Sequence, residues 1–186
     1  MPFFTRWRKE RQRQRHADTY VAALLREPLD ADVAWLSKAA TRGDDDHARW
    51  ELRYARRAIG LLVAQRDAMD DRTGSLVAQV LGASFEEDQR IDQGRFGLVE
   101  RQFNARLSAY RDALAARSPD TRARLGQTLL AFAGGSFRDV DDTVRRAGDV
   151  LAGYEHEANE TLRSAFGSAA LPEQIPPSAA AGGSKK

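Results

Sequence analysis

The stretch from His47 to Met69, HARWELRYARRAIGLLVAQRDAM, constrains the fold most, because it holds the most apolar run of the chain, Ala58 to Ala64. One apolar line runs Ala48, Leu52, Ala55, Ile59, Leu62, and a second, Tyr54, Ala58, Leu61, lies beside it. Two adjoining lines at spacings of three and four make a wide apolar face, the pattern of a helix covered on more than one side. Asp44, after Gly43, is placed to cap its N-terminus by accepting a hydrogen bond from an unpaired backbone N–H. Gly60 costs the helix about 1 kcal/mol relative to alanine, which is tolerable where another helix comes close. A membrane span needs about 18 consecutive apolar residues. Ala58–Ala64 is far shorter and is flanked by Arg56, Arg57 and Arg66, so it reads as buried core.

The rest of the sequence also favours helix. Alanine, leucine, arginine and glutamate are abundant and β-branched residues sparse. The absence of cysteine excludes disulfides, thiolate catalysis and cysteine-ligated zinc. A chain of 186 residues is long enough for one domain with a sizeable core. No apolar stretch follows the basic N-terminus as a secretory signal would require, so the expected location is cytoplasmic.

Three regions are expected: a basic, aromatic arm at 1–16, a helical bundle at 17–168, and a Pro/Ala/Gly tail at 169–186. The net charge of +2 is unevenly divided. Arg6, Arg8, Lys9, Arg11, Arg13 and Arg15 against Glu10 give the arm +5, and Lys185 and Lys186 less Glu173 give the tail +1, which leaves −4 on the body. An acidic body with a basic arm assigns any polyanion contact to the arm.

In the arm, Phe3, Phe4 and Trp7 are spaced three and four apart and would share one face of a helix. Aromatic rings beside arginines are what an interfacial anchor needs, the rings entering the headgroup boundary and the guanidinium groups meeting lipid phosphates. The candidate binding set is therefore Phe3, Phe4, Arg6, Trp7, Arg8, Lys9, Arg11, Arg13 and Arg15. The same residues could hold nucleic-acid phosphates, with Trp7 stacked on a base. The plain alternative is that the aromatic rings dock on the body while the basic run stays solvated.

Along the body, the pattern predicts a short helix from Asp18 to about Arg26, ended by Pro28, and a second one capped by Asp30 and closed at Gly43. A turn is expected at Asp70–Gly74, then a short helix through Leu76, Val77, Val80 and Leu81. Ser84 with Glu87 has the spacing of a capping box and predicts a long helix to Arg117, lined by Phe96, Val99, Phe103, Leu107, Tyr110 and Leu114. Gly94 and Gly97 predict a kink or a close helix contact in its first third. Ser118 with Pro119 opens the next helix, Gly134-Gly135 closes it, and Ser136 caps the last. In that last helix Phe137, Val140, Val144, Ala147, Leu151, Tyr154 and Ala158 alternate spacings of three and four, as in a coiled coil, with Gly148 and Ala152 on a neighbouring strip of small residues.

The expected fold is all-α: an elongated antiparallel helical bundle with a coiled-coil-like C-terminal helical hairpin. Helices of about thirty residues would be roughly 45 Å long, against a radius of gyration of about 16 Å for a compact chain of this length. That mismatch points to pairing with another chain, most simply a homodimer.

No catalytic signature accompanies this architecture. The three histidines, His16, His47 and His156, are not preceded by the Glu-x-x-His spacing of a di-iron bundle. Asp139, Asp141 and Asp142 open like a calcium loop, but Val144 and Val150 stand where that loop needs glycine and glutamate. They suit the first turn of a helix instead. No phosphate-cradling glycine loop and no nucleophile elbow is present. The expectation is a non-catalytic adaptor or scaffold without metal or cofactor, assembling through its bundle and tethered by its arm to an anionic membrane surface or a larger partner. The rivals are a nucleic-acid-associated protein using the same arm and a metal-dependent enzyme of the four-helix type.

Overall fold

The computed structural model describes residues 2–68, 70–88, 93–116, 120–135 and 139–167, the side chains of 2–6 and 93 excepted. Those residues form seven α-helices and one 3-10 turn, with no strand among them. The helices are α1 (Pro2–Leu24), α2 (Asp30–Ala39), α3 (Asp45–Asp67), α4 (Asp71–Glu86), α5 (Phe96–Ala115), α6 (Thr121–Phe132) and α7 (Asp142–Phe166). They pack as a bundle, and among the described residues none is long and apolar enough to cross a membrane.

Helix α3 is the axis of the bundle and touches each of the other six. Asp44 caps it, accepting from the His47 N–H at 2.9 Å. Both apolar lines are buried, and Leu52, Ala55, Ala58 and Ile59 are essentially sealed. Gly60 is where α1 closes on α3. The Leu24 side chain occupies the space a Cβ would need, and the Tyr20 hydroxyl donates to the Gly60 carbonyl at 2.8 Å. Any larger residue there would require the Leu24 side chain to move, so glycine lets α1 seat this closely. Arg56 and Arg57 do not flank the core but lie within it, at 9% and 1% exposure.

Helix α1 is longer than its apolar pattern predicts. Ala17, Tyr20, Val21 and Leu24 bury its C-terminal half, yet the helix begins at Pro2 rather than near Asp18. Between Pro2 and Pro28 there is no glycine or proline, and the arm is made of good helix formers that need no buried face of their own. Helix α2 starts with Asp30 as its first helical residue, after Leu29, which makes no side-chain cap. Arg42 and Gly43 adopt φ of 58° and 90°, and the Gly43 N–H returns to the Ser37 carbonyl at 3.0 Å, closing the turn between α2 and α3.

The Asp70–Gly74 cluster is the cap and first turn of α4. The Asp70 carboxylate accepts from the Thr73 N–H at 2.7 Å and the Thr73 hydroxyl at 2.8 Å, which holds its pKa below the ordinary value. Helix α4 continues through Gly82 and Ser84 to Glu86. The capping box expected at Ser84 is not formed: its hydroxyl donates to the Leu81 carbonyl at 2.6 Å, and burial of Phe85 carries the helix onward. The next helix starts only at Phe96, after a 3-10 turn at Gln93–Arg95. Gly97 has nothing near it, so it marks a helix start and no close crossing.

Asp120 caps α6 and Asp141 caps α7, accepting from Ala123 N–H at 3.2 Å and Val144 N–H at 2.9 Å. Ser118, Pro119, Ser136 and Phe137, the expected openings of these helices, lie outside the described residues. Helices α6 and α7 run antiparallel through a crossing of glycines. A Cβ on Gly126 would overlap the Val144 carbonyl oxygen, and one on Gly148 would meet that of Arg122. The small-residue strip expected at Gly148 is therefore used. At 20 and 25 residues, α5 and α7 are shorter than the thirty or so read from sequence.

Candidate functional site

The arm forms the first four turns of α1. Phe3, Phe4 and Arg6 sit on its first turns, with side chains outside the description. From Trp7 onward the side chains divide by helix angle. Ala17, Tyr20 and Leu24 define the buried side of α1, and Arg13 follows them toward the bundle, half-buried and 3.6 Å from the Asp70 carboxylate. Arg8, Arg11, Gln12 and Arg15 take the opposite side and, with Trp7 at the border between the two sides, line one shallow concavity ending at His16. Lys9 is also exposed, one turn before Arg13 on the side of the helix that Arg13 takes.

Two neighbours fix this stretch. His16 meets Phe166, the last residue of α7, edge-on at 5.6 Å between ring centroids. Because α7 runs antiparallel to α1, with Arg26 beside Glu157 at the other end, the turns before His16 extend past the end of α7. Helix α4 accompanies them there. Trp7 and Arg13 form one wall of a groove whose other wall is Arg72, Thr73 and Leu76. Trp7 nonetheless remains 48% exposed, and the Arg11 guanidinium lies 4.0 Å above its ring.

The electrostatics of the exposed face differ from those of the bundle. In the bundle many guanidinium groups are matched to carboxylates, among them Arg26 and Arg56 to Glu157, Arg49 to Asp30, Arg53 to Glu27, and Arg66 to Asp67 and Glu155. Among the described residues, Arg8, Lys9, Arg11 and Arg15 are in no such pair. Three arginines one helical turn apart, without a carboxylate between them, repel one another and are relieved by an anion. Guanidinium groups so placed match the geometry of phosphate oxygens.

A second charged cluster lies outside the set that the sequence nominates. Glu51 and Arg106 form a bidentate pair between α3 and α5, the Arg106 Nε donating to Glu51 Oε2 at 2.7 Å and the Nη2 to Oε1. The guanidinium lies between the Tyr54 and Phe132 rings at 4.7 and 4.6 Å, and His47 Nε2 is 3.4 Å from the carboxylate. Arg57, over the Phe85 ring, reaches Asp88 at 3.5 Å. A signal for the pair does exist: Glu51 extends the Tyr54–Ala58–Leu61 line backward, and Arg106 lies three beyond Phe103 and four before Tyr110. With both carboxylate oxygens bonded to Arg106, this pair fixes how α5 seats on α3. Burial raises the phenol pKa of nearby Tyr110, which faces the opposing charges of Glu51 and Arg106, and its hydroxyl has no hydrogen-bond partner. Among the described residues no group of histidines and carboxylates is arranged to hold a metal ion.

The described residues define the chain only as an all-helical bundle whose N-terminal helix carries an exposed row of arginines. Comparison with models of known protein families, with curated proteins and with solved structures found no match.

Proposed function

We propose that this chain is a non-catalytic helical scaffold that self-associates through its bundle and is held at an anionic membrane surface by the exposed face of α1. The observation that carries the reading is the cation face itself: Arg8, Arg11 and Arg15 aligned without carboxylate partners, beside a half-exposed Trp7. The flat helix would lie in the headgroup layer, its guanidinium groups on lipid phosphates and its indole at the acyl boundary. On this reading the protein works in the cytoplasm at the face of a membrane. The bundle is elongated and its C-terminal helices pair in coiled-coil fashion, which the unbroken burial of Val144, Ala147, Leu151, Tyr154, Ala158 and Leu162 along α7 supports.

Each basic residue near an anionic surface contributes about 1 kcal/mol, so Arg8, Lys9, Arg11 and Arg15 together favour anionic over neutral lipid by roughly a thousandfold. The test is flotation of the whole chain with neutral and with anionic vesicles, against a variant carrying R8E, R11E and R15E. Wild type rising with anionic vesicles alone, and the variant staying down, is the expected result. If wild type fails to float, the membrane reading is wrong. DNA binding that falls steeply with salt would then return the face to nucleic acid.

A further inference from the structure

We infer that the groove between α5 and α6 is the surface on which two copies of this chain meet. It has a volume of about 710 Å³, with Ala109, Ala113, Thr128 and Ala131 giving it a low floor. Asp112 stands on its α5 wall and Arg124 on its α6 wall. Both are exposed, and neither is ion-paired within the described chain. Side chains this small let a further helix approach to about 8 Å.

The charge arrangement selects the occupant. In an interface between identical copies, residue i of one meets residue j of the other, and the reverse. A two-fold axis running along the groove places α5 of each copy over α6 of its partner. Asp112 of each then faces Arg124 of the other, so one groove satisfies both charges twice, with no third chain. Placing α5 over α5 would oppose Asp112 to itself. The groove also lies apart from α1, which packs on α3, α4 and α7, so pairing here leaves the cation face open. Two helices about 10 Å apart and about 30 and 18 Å long offer a footprint of roughly 500 Å² per copy, at the low end for a specific interface. A reversible dimer follows, in place of an obligate one.

This inference rests on the self-association half of the reading above, and the two fail separately. The experiment measures the mass in solution, by light scattering over a dilution series, of wild type, D112R, R124D and an equimolar mixture of the two variants. Wild type should reach twice the 20.7 kDa chain mass. Each variant opposes like charges and should dissociate at about a hundredfold higher concentration or more. In the mixture a D112R chain carries two cations at the groove and an R124D chain two anions. Their pairing restores an opposite charge at both contacts, so the mixture should dimerise as wild type does. Unchanged helical circular dichroism shows that the variants are folded. Variants that dimerise as well as wild type, or a mixture that stays monomeric, overturn the groove and leave self-association standing. A wild type that remains at the single-chain mass overturns both.

Discussion

Raising the pH above about 10 should destabilise this protein progressively, through its tyrosines. Tyr20, Tyr110 and Tyr154 are buried, and burial is the leading cause that raises each phenol well above its ordinary value of 10.0. Asp67 raises Tyr20 further and Glu51 raises Tyr110, while Arg106 and Arg56 pull Tyr110 and Tyr154 the other way. In the unfolded chain the same phenols ionise near pH 10. A group whose folded pKa is raised contributes its full stability below the unfolded pKa and loses it as pH rises toward the folded one. Each tyrosine therefore removes about 0.4 kcal/mol at pH 10 and about 1.4 kcal/mol at pH 11. The three together remove about 1 and then about 4 kcal/mol, against a total of roughly 5–15 kcal/mol for a folded domain. Burial raises Tyr54 as well, so it adds to this loss. Little beyond the tyrosines titrates in that window, because the cations are nearly all arginines, which stay charged, and the lysines number only Lys9, Lys38, Lys185 and Lys186. Urea unfolding followed by circular dichroism at pH 8, 10 and 11, with tyrosinate absorbance recorded alongside, measures the slope. Tyr110→Phe should lessen the alkaline loss by about a quarter to a third and leave stability at neutral pH undiminished, since its hydroxyl has no partner to lose among the described residues. Stability that stays level to pH 11, or tyrosinate that forms while helicity is intact, would refute the reasoning.

Two further perturbations bear on the packing. Glu51→Gln leaves the buried Arg106 charge without its counter-ion and should cost about 3–5 kcal/mol in denaturant unfolding, whereas replacing Glu51 and Arg106 together by apolar residues of similar volume should cost far less. Equal losses from the single and double changes would deny their coupling. Alanine at Gly126 should destabilise by about 1–3 kcal/mol through overpacking at the α6–α7 crossing. Alanine at Gly153, on the open side of α7 with nothing near it, should stabilise by about 0.5–1 kcal/mol, and thermal melts that fail to separate these two variants would contradict the crossing geometry.

The centre of the fold is legible in the sequence because α3 carries its own evidence. A wide apolar face needs neighbours on several sides, and a glycine inside it needs a close one, which Leu24 and Tyr20 provide. Gly148 is legible for the same reason. Helix starts are less so. Ser84 and Glu87 have capping-box spacing, but tertiary burial of Phe85 outweighs the local motif and keeps the chain helical through it. The extent of α1 escapes a sequence reading because periodicity detects helices that bury a face, and the arm has too few apolar residues to display one. Of the binding set, Arg13 departs toward Asp70, a distant partner in the chain that no local pattern reveals. Glu51 and Arg106 are half-legible: each stands as a charge on an apolar line, but they lie 55 positions apart, and only their meeting explains both.

The unbroken run of α1 from Pro2 to Leu24 makes the arm a lever instead of a leash. A flexible tether would let the bundle tumble beneath whatever holds it, and force on the arm would be lost in slack. Here the turn that carries Arg8 and Arg11 is continuous with the turn whose Tyr20 is bonded to the centre of α3. On the membrane reading proposed above, capture of the first turns would set the orientation of the whole body relative to the surface. It would also tie the grip of that surface to the melting of the fold, since any ligand bound only by the intact helix raises the stability of everything joined to it.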